Sequence, residues 1–252
     1  MIAIVTGASA GLGAQFARQI AEQFPEIDTL WLIARRVGKL EDLAQTIEGK
    51  QVICLGLDLC DAKSFKYFAD HLAEKRPKVG LLVNNAGLAA GLEHIDQGDT
   101  RDWDAMIDTN VKGLLYVTRV IAPKMVAAGG GHIFNIGSIA GTEAYENGAV
   151  YCASKHAVHA ISQSMRADLL SAGIKVTEIR PGMVETEFSE VRFHGDKKRA
   201  DAVYAGVEPL TGDDIAEAIA WAAQLPAHMN VNDMVLMPAR QAGAYYTYRK
   251  TK

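Results

Sequence analysis

Little in this chain points to secretion, to a membrane or to a polyanion. Three cysteines, Cys54, Cys60 and Cys152, stand among 252 residues. So sparse and odd-numbered a set makes no disulfide framework, and a reduced, cytoplasmic setting is the simplest expectation. No apolar stretch approaches the roughly 20 residues of a membrane span. The longest, residues 113–128, is broken by Arg119 and Lys124. The chain opens without a basic segment ahead of a long apolar one, so no secretory leader is expected. Neither sign of charge dominates: 26 basic against 30 acidic residues leave a net charge of −4, and no basic run exceeds Lys197-Lys198-Arg199. Nucleic acid and anionic membranes are therefore poor candidates as partners, and a small molecule is a better one. With 49% apolar and 22% charged residues the composition is that of an ordinary globular protein, which excludes a disordered, collagen-like or coiled-coil chain.

What the chain does have is a regular alternation. Short β-branched runs at residues 2–6, 29–34, 51–57, 80–84, 132–136, 175–179 and 233–237 are separated by helical patterns at 11–24, 38–47, 62–75, 100–127, 150–171 and 213–224. Most of the runs are continuously apolar, as strands buried on both faces of a parallel sheet must be. The repeated βαβ spacing predicts an α/β fold, a doubly wound parallel sheet with helices on both faces, in one domain over residues 1–252. Residues 181–211 lack a clear period and are expected to carry short helices and act as a lid. Residues 238–252 form a polar, aromatic tail that either frays or packs on a neighbouring subunit, with packing favoured.

The first strand runs into Thr6-Gly7-Ala8-Ser9-Ala10-Gly11-Leu12-Gly13, and a helix follows at once. Glycines in that place let the backbone turn tightly and approach a pyrophosphate seated on the helix N-terminus. The spacing is G-x-x-x-G-x-G, not G-x-G-x-x-G, and it lacks the Lys-Ser/Thr of a P-loop. Strand two ends in Arg35-Arg36. A dinucleotide site for NAD places an acid there for the ribose 2′-OH, whereas two guanidiniums suit a 2′-phosphate. The cofactor is thus expected to be NADP, with Arg35 the more direct contact. Asp58, followed by Leu59, could accept from an adenine amino group or could equally cap the next helix. Asn84-Asn85-Ala86-Gly87 ends strand four. Its amides can bridge strand ends while Ala86 and Gly87 leave room for a flat ligand.

Strand five ends at Ser138, and thirteen residues later comes Tyr151, then Lys155 one helical turn on. An ammonium on the same helix face as a phenol favours the phenolate, which can exchange a proton with an alcohol or ketone oxygen. Ser138 can donate to that oxygen as it gains charge. Tyr246/Lys250 and Tyr248/Lys252 share the spacing but have Asp233 and Val235 where a serine would stand.

These residues together resemble the short-chain dehydrogenase/reductase family over the whole chain: Thr6-Gly7-x-x-x-Gly11-x-Gly13, Asn84-Asn85-Ala86-Gly87, Asn110, Ser138, Tyr151-x-x-x-Lys155 and Pro181-Gly182. The resemblance implies a Rossmann-type sheet of seven strands in the order 3-2-1-4-5-6-7. It implies that Tyr151 is the general acid/base, that Lys155 binds the nicotinamide ribose and lowers the Tyr151 pKa, that Ser138 orients the substrate oxygen, and that Asn110 holds a water linking Lys155 to solvent. It implies cofactor contacts at Gly7, Ser9, Ala10, Gly11, Leu12, Gly13, Arg35, Arg36, Asp58, Leu59, Asn85, Ala86, Gly87, Tyr151, Lys155, Pro181, Gly182, Val184 and Thr186, with Thr186 bonding the carboxamide. It also implies a homotetramer built on the helices at 100–127 and 150–171.

A narrower resemblance, over residues 84–92, 104–113, 186–195, 225–232 and Met237-Pro238, is to the NADP-dependent 3-hydroxy acid dehydrogenases, which oxidise serine, allo-threonine and related acids at the β-carbon. The turn Gly182-Met183-Val184-Glu185-Thr186-Glu187 is one residue shorter than is usual in that group, so the detailed shape of the substrate pocket does not carry over. Arg192 is the expected partner of a substrate carboxylate, with pairing to Glu187 or Glu190 as its alternative. Two other functions stay open: reduction of 3-oxoacyl thioesters or other ketones, and an NADP-binding regulatory role without catalysis. His156 and His159 lie one turn apart without further ligands nearby in sequence, so no metal is expected. Cys152 reads as packing, and Trp31, Trp103 and Trp221 as core or interface residues.

Overall fold

All seven apolar runs form strands, and they hydrogen-bond into one parallel sheet in the order β3-β2-β1-β4-β5-β6-β7. A computed structural model of the chain describes residues 1–75 and 78–250. The strands are β1 (Ile2–Thr6), β2 (Thr29–Ala34), β3 (Gln51–Gly56), β4 (Val79–Asn84), β5 (Gly131–Ile136), β6 (Ile174–Pro181) and β7 (Asp233–Leu236). The helices are α1 (Gly11–Gln23), α2 (Val37–Gln45), α3 (Ala62–Lys75), α4 (Thr100–Ile107), α5 (Leu114–Ala128), α6 (Ala149–Asp168), α7 (Phe188–Arg192), α8 (Lys197–Tyr204) and α9 (Gly212–Ala223).

Two apolar layers sandwich the sheet, which is why its inner strands carry no alternation. On one face Phe16 and Ile20 of α1 and Ile215 and Ile219 of α9 pack on Val5, Leu32 and Phe134. On the other, Phe68 and Leu72 of α3, Val117 and Ile121 of α5 and Val158 of α6 pack on Ile4, Ile33 and Leu82. The strand order reverses between β1 and β4, and the crevice opened there at the strand C-terminal ends is where an open α/β sheet takes its ligand.

One expectation needs correction. The helix at 100–127 is not continuous: a π-helical segment, Asp108–Gly113, joins α4 to α5. Asn110 lies in that segment, and its side chain is tied to Leu88 and Ser154, outside the helix. The tail hydrogen-bonds to its own chain as far as residue 250. Tyr248 N donates to Arg240 O at 2.9 Å, Ala244 N to Glu143 Oε2 at 2.7 Å and Lys250 N to Gly206 O at 3.0 Å. Thr251 and Lys252 lie outside the described residues. Trp31 is core, and Trp221 is exposed on the single chain.

Candidate active site

The glycine-rich turn between β1 and α1 is shaped by close backbone approach. Gly7 has φ +66° and Gly11 φ +53°, and a Cβ on Gly13 would stand 2.3 Å from Gly7 O and 2.5 Å from Asn85 Nδ2. These positions therefore require glycine. Helix α1 begins at Ala10 with no side-chain cap and no acid in its first turn, so its N–H groups remain available to an anion. Ser9, Ala10, Gly11 and Leu12 line the groove, a cavity of about 550 Å³ that runs along the strand ends. A pyrophosphate fits this cradle in size and charge.

Thr6 is a residue that sequence reasoning missed as a positioning group. Its hydroxyl accepts from Asn85 N and Ala86 N, both at 3.0 Å, and donates to Val83 O at 3.3 Å. The β4 end is thus pinned to β1. Asn85 Nδ2 donates to Thr6 O and Gly7 O, and Asn84 Nδ2 donates to Asn135 Oδ1 at 2.9 Å, so the two amides do bridge strand ends. Ala86 and Gly87 face the groove.

At the outer end of the groove stand Arg35 and Arg36. Arg36 Nε donates to Ser9 Oγ at 3.2 Å and its Nη1 to Glu187 Oε2 at 3.0 Å. Arg35 lines the groove and has no ion pair among the described residues. Asp58 and Leu59 also line it, but beyond the end of β3 rather than on it. The cap of α3 comes from Asp61, whose Oδ2 accepts from Ser64 N at 2.7 Å, while Asp58 Oδ1 accepts from Cys60 N at 2.9 Å in a turn of its own.

The inner end holds Ser138, Tyr151 and Lys155, all buried and all lining the same groove. Ser138 ends the β5 segment, and Tyr151 and Lys155 share one face of α6. Lys155 Nζ donates to Ile136 O at 2.8 Å and lies 5.9 Å from the centre of the Tyr151 ring. Burial lowers the Lys155 pKa to about 8, against the raising effect of Glu178. Burial also pushes the Tyr151 phenol upward, reinforced by Tyr145 and opposed by Ser138 and the Arg192 charge. Desolvation is the largest of these effects. Asn110 commits both amide hydrogens to protein, to Leu88 O at 2.8 Å and Ser154 Oγ at 3.0 Å, and its Oδ1 accepts from Leu88 N. The Asn110 side chain is thereby anchored to Leu88 and to Ser154 of α6.

Pro181, Gly182, Val184 and Thr186 follow β6 along the groove. Thr186 lies against the glycine-rich turn, where a Cβ on Gly11 would meet it at 3.4 Å. Its Oγ1 accepts from Phe188 N at 3.2 Å. Residues 181–211 do carry short helices, α7 and α8. Arg192, at the end of α7, lies over the Tyr151 ring at 5.1 Å and donates to the Tyr145 hydroxyl at 2.7 Å. Its alternative partner Glu187 binds Arg36 and Lys39 instead, and Arg192 has no carboxylate partner among the described residues.

His159 does find acidic neighbours in space. Its Nδ1 lies 2.5 Å from Glu178 Oε2 and 3.8 Å from Asp233 Oδ1, a set that could hold a metal ion. Arg166 and Arg180 stand 3.9 and 4.0 Å from the same Asp233 oxygen, so the acids are already balanced by cations. Cys152 is buried beside Tyr151, as packing requires.

A family model described as short chain dehydrogenase matches residues 1–197. The NADP-dependent 3-hydroxy acid dehydrogenase of Schizosaccharomyces pombe is 40% identical over 250 residues, 98% of this chain and 96% of that one. Sulfoacetaldehyde reductase 2 of Chromohalobacter salexigens is 42% identical over 246 residues, 96% of this chain and 95% of that one. A solved structure of serine dehydrogenase in its closed form, complexed with NADP+, superposes with a TM-score of 0.90 at 38% identity and covers 100% of both chains.

Proposed function

The chain belongs to the short chain dehydrogenase family, and from that premise we propose that it is an NADP(H)-dependent oxidoreductase acting on small 3-hydroxy acids such as serine, allo-threonine or 3-hydroxybutyrate. The observation that carries the reading is one continuous groove. Its outer end offers an uncapped helix and two arginines, and its inner end a buried Ser-Tyr-Lys set with a guanidinium above the phenol. Binding alone would require no Tyr or Ser there, which weighs against a purely regulatory role.

A nicotinamide held there would supply the hydride acceptor or donor for the β-carbon. The residues of the chain manage the proton and the charge. Tyr151 exchanges the proton with the substrate oxygen, and Ser138 donates a hydrogen bond to that oxygen. Lys155 holds positive charge beside the phenol and bonds the ribose. Asn110, anchored to Leu88 and Ser154, holds a water that links Lys155 to solvent. Thr186 bonds the carboxamide, Arg35 and Arg36 take the 2′-phosphate, and Arg192 takes the substrate carboxylate. In this reading residues 1–252 form one nucleotide-binding unit, with a lid at 181–211 and a tail at 238–252. It assembles as a homotetramer in the cytoplasm. The three unbridged thiols suit the compartment, and the apolar Leu115, Tyr116 and Val126 left exposed on α5 suit the assembly. Among the described residues no helix is long and apolar enough to cross a membrane.

A second reading keeps the machinery and changes the headgroup. One relative is a sulfoacetaldehyde reductase, and a guanidinium serves a sulfonate as it serves a carboxylate. The test is a screen at 340 nm with NADP+ and NAD+ against serine, the threonine isomers, 3-hydroxybutyrate, 2-hydroxyethanesulfonate and neutral secondary alcohols. Fastest turnover of a carboxylate substrate with NADP+ is the expected result. A winning sulfonate selects the second reading. Turnover of neutral alcohols alone moves the function to the ketone and 3-oxoacyl reductases.

A further inference from the structure

Glu187 stands in the lid just ahead of α7. It reaches across the groove to helix α2, from 151 and 148 residues away in sequence. Oε2 accepts from Arg36 Nη1 at 3.0 Å and Oε1 from Lys39 Nζ at 2.9 Å. The neighbouring Thr186 rests on Gly11, so this corner of the lid lies directly over the glycine-rich turn. Both cations hold the Glu187 carboxyl below its usual range, Lys39 most strongly. The acid is therefore ionised throughout the neutral range.

The corner holds three cations, Arg35, Arg36 and Lys39, at the end of β2 and in the first turn of α2. Arg36 is already engaged on two sides, by Ser9 through Nε and by Glu187 through Nη1. A phosphate gripped bidentately by a guanidinium needs one free edge of two parallel N–H donors. A carboxylate and a phosphate cannot both accept the same Nη1 hydrogen, and two anions drawn to one guanidinium repel each other. The Arg36 and Glu187 side chains are 49% and 43% exposed, so the contest is between partners of similar and modest strength.

We propose that Glu187 is a specificity-determining residue for the cofactor: its carboxylate occupies donors of Arg36 and Lys39 that an adenosine 2′-phosphate uses, and it yields them when the phosphate binds. Lys39 is then the third cation of the 2′-phosphate subsite. Selectivity for NADP(H) over NAD(H) is set below what three cations would give, because part of their attraction is used in displacing Glu187. An adenosine without the 2′-phosphate leaves the Glu187 contacts in place. The proposal rests on the reading that Arg35 and Arg36 receive the 2′-phosphate.

The test measures binding, not turnover, by titration calorimetry with 2′,5′-ADP and 5′-AMP as probes on the wild-type chain, Glu187→Gln and Glu187→Gln/Lys39→Met. Glu187→Gln is expected to tighten 2′,5′-ADP about threefold to tenfold, as suits the loss of two half-exposed ion pairs, and to leave 5′-AMP unchanged. Adding Lys39→Met should take most of that gain away. Unchanged or weakened binding of 2′,5′-ADP by Glu187→Gln overturns the proposal, since Glu187 would then be a clamp over the cofactor and not a competitor for its donors. Equal tightening of both probes overturns it as well, since the lid would only have loosened. If the wild type binds 2′,5′-ADP no better than 5′-AMP, the 2′-phosphate reading fails and takes the proposal with it. A wild-type preference without the Glu187→Gln effect defeats the proposal alone.

Discussion

The two ends of the groove are built on different physical principles. At the inner end Asn110, Ser138, Tyr151 and Lys155 are all buried, with 2%, 9%, 8% and 6% exposure. Each is fixed by a strand end or by α6, and a buried polar group that loses its partner is costly. At the outer end Arg36, Lys39 and Glu187 are half-exposed, sit on turns and first helical turns, and pair across water-accessible space. Such pairs are individually weak. The difference teaches that substitutions inside should act nearly all-or-none, while those outside should act by degrees and shift preference more than rate.

The sharpest break of that contrast is at Tyr151. Tyr151→Phe keeps the ring, its edge-on contact with Phe188 and its place under Arg192. Only the transferable proton is lost. Turnover should fall by about 10²–10⁴-fold, the usual contribution of a general acid/base, while NADP+ titrated by fluorescence binds as before. Near-normal turnover would remove Tyr151 from the chemistry and leave the inner end a mere binding pocket.

The inner end was also the more legible in sequence. Strand five, Ser138 and the Tyr151/Lys155 pair are linked by short, local spacings, and continuously apolar runs located the parallel strands to within a residue or two. What escaped notice depends on contacts between distant residues. The π segment at Asn110 has no local signal, because it accompanies side-chain bonds to Leu88 and Ser154. Glu187 meets Arg36 and Lys39 across some 150 residues, and His159 meets Glu178 and Asp233 only once α6, β6 and β7 are assembled. Asp58 read equally as an adenine contact or a helix cap, and only the assembled turn shows that the cap falls to Asp61.

Lys155→Met should come next in size, lowering turnover about 10²-fold and weakening cofactor binding, since one ammonium serves both. It also gives a pH signature. Burial lowers the folded-state pKa from 10.5 to about 8. As pH falls from 10.5 the unfolded chain takes up this proton first, so the wild-type fold loses stability down to about pH 8, below which both states are protonated. Lys155→Met lacks that slope. Denaturant titrations at several pH values between 8 and 10.5 should show the wild type gaining on the variant as pH rises. Parallel stability curves would mean that the ammonium is not the buried group it is taken to be.

At the outer end, Arg35→Asp should move cofactor preference rather than rate. A carboxylate there repels a 2′-phosphate and can accept from a 2′-OH. The NADP/NAD ratio of kcat/KM should drop about a hundredfold, the scale of one lost charge-assisted bond and one new repulsion. The check is the pair of kcat/KM values with each cofactor on one substrate. A wild type indifferent to the two cofactors would refute the role of the arginines outright.

Arg192 belongs to neither end and gives the smallest and most diagnostic effect. It sits on α7 but leans on the buried ring of Tyr151 and the partly buried rings of Tyr145 and Phe188, at 5.1, 5.7 and 6.0 Å from their centres. Its Nη2 is held by the Tyr145 hydroxyl, and Nε is buried without a partner. With Glu187 drawn off to Arg36 and Lys39, the guanidinium keeps its charge for an incoming anion. Arg192→Met retains length and apolar contact. It should raise KM for serine or 3-hydroxybutyrate about tenfold, the weight of a partly exposed ion pair with favourable geometry. The lost cation also disfavours the Tyr151 phenolate. Every substrate should therefore lose a small common factor in kcat, and a neutral secondary alcohol should lose only that. Measuring kcat and KM for one charged and one neutral substrate separates the two effects. Equal losses on both would make Arg192 a brace for the lid, and the carboxylate would then have to be met by another cation of the groove.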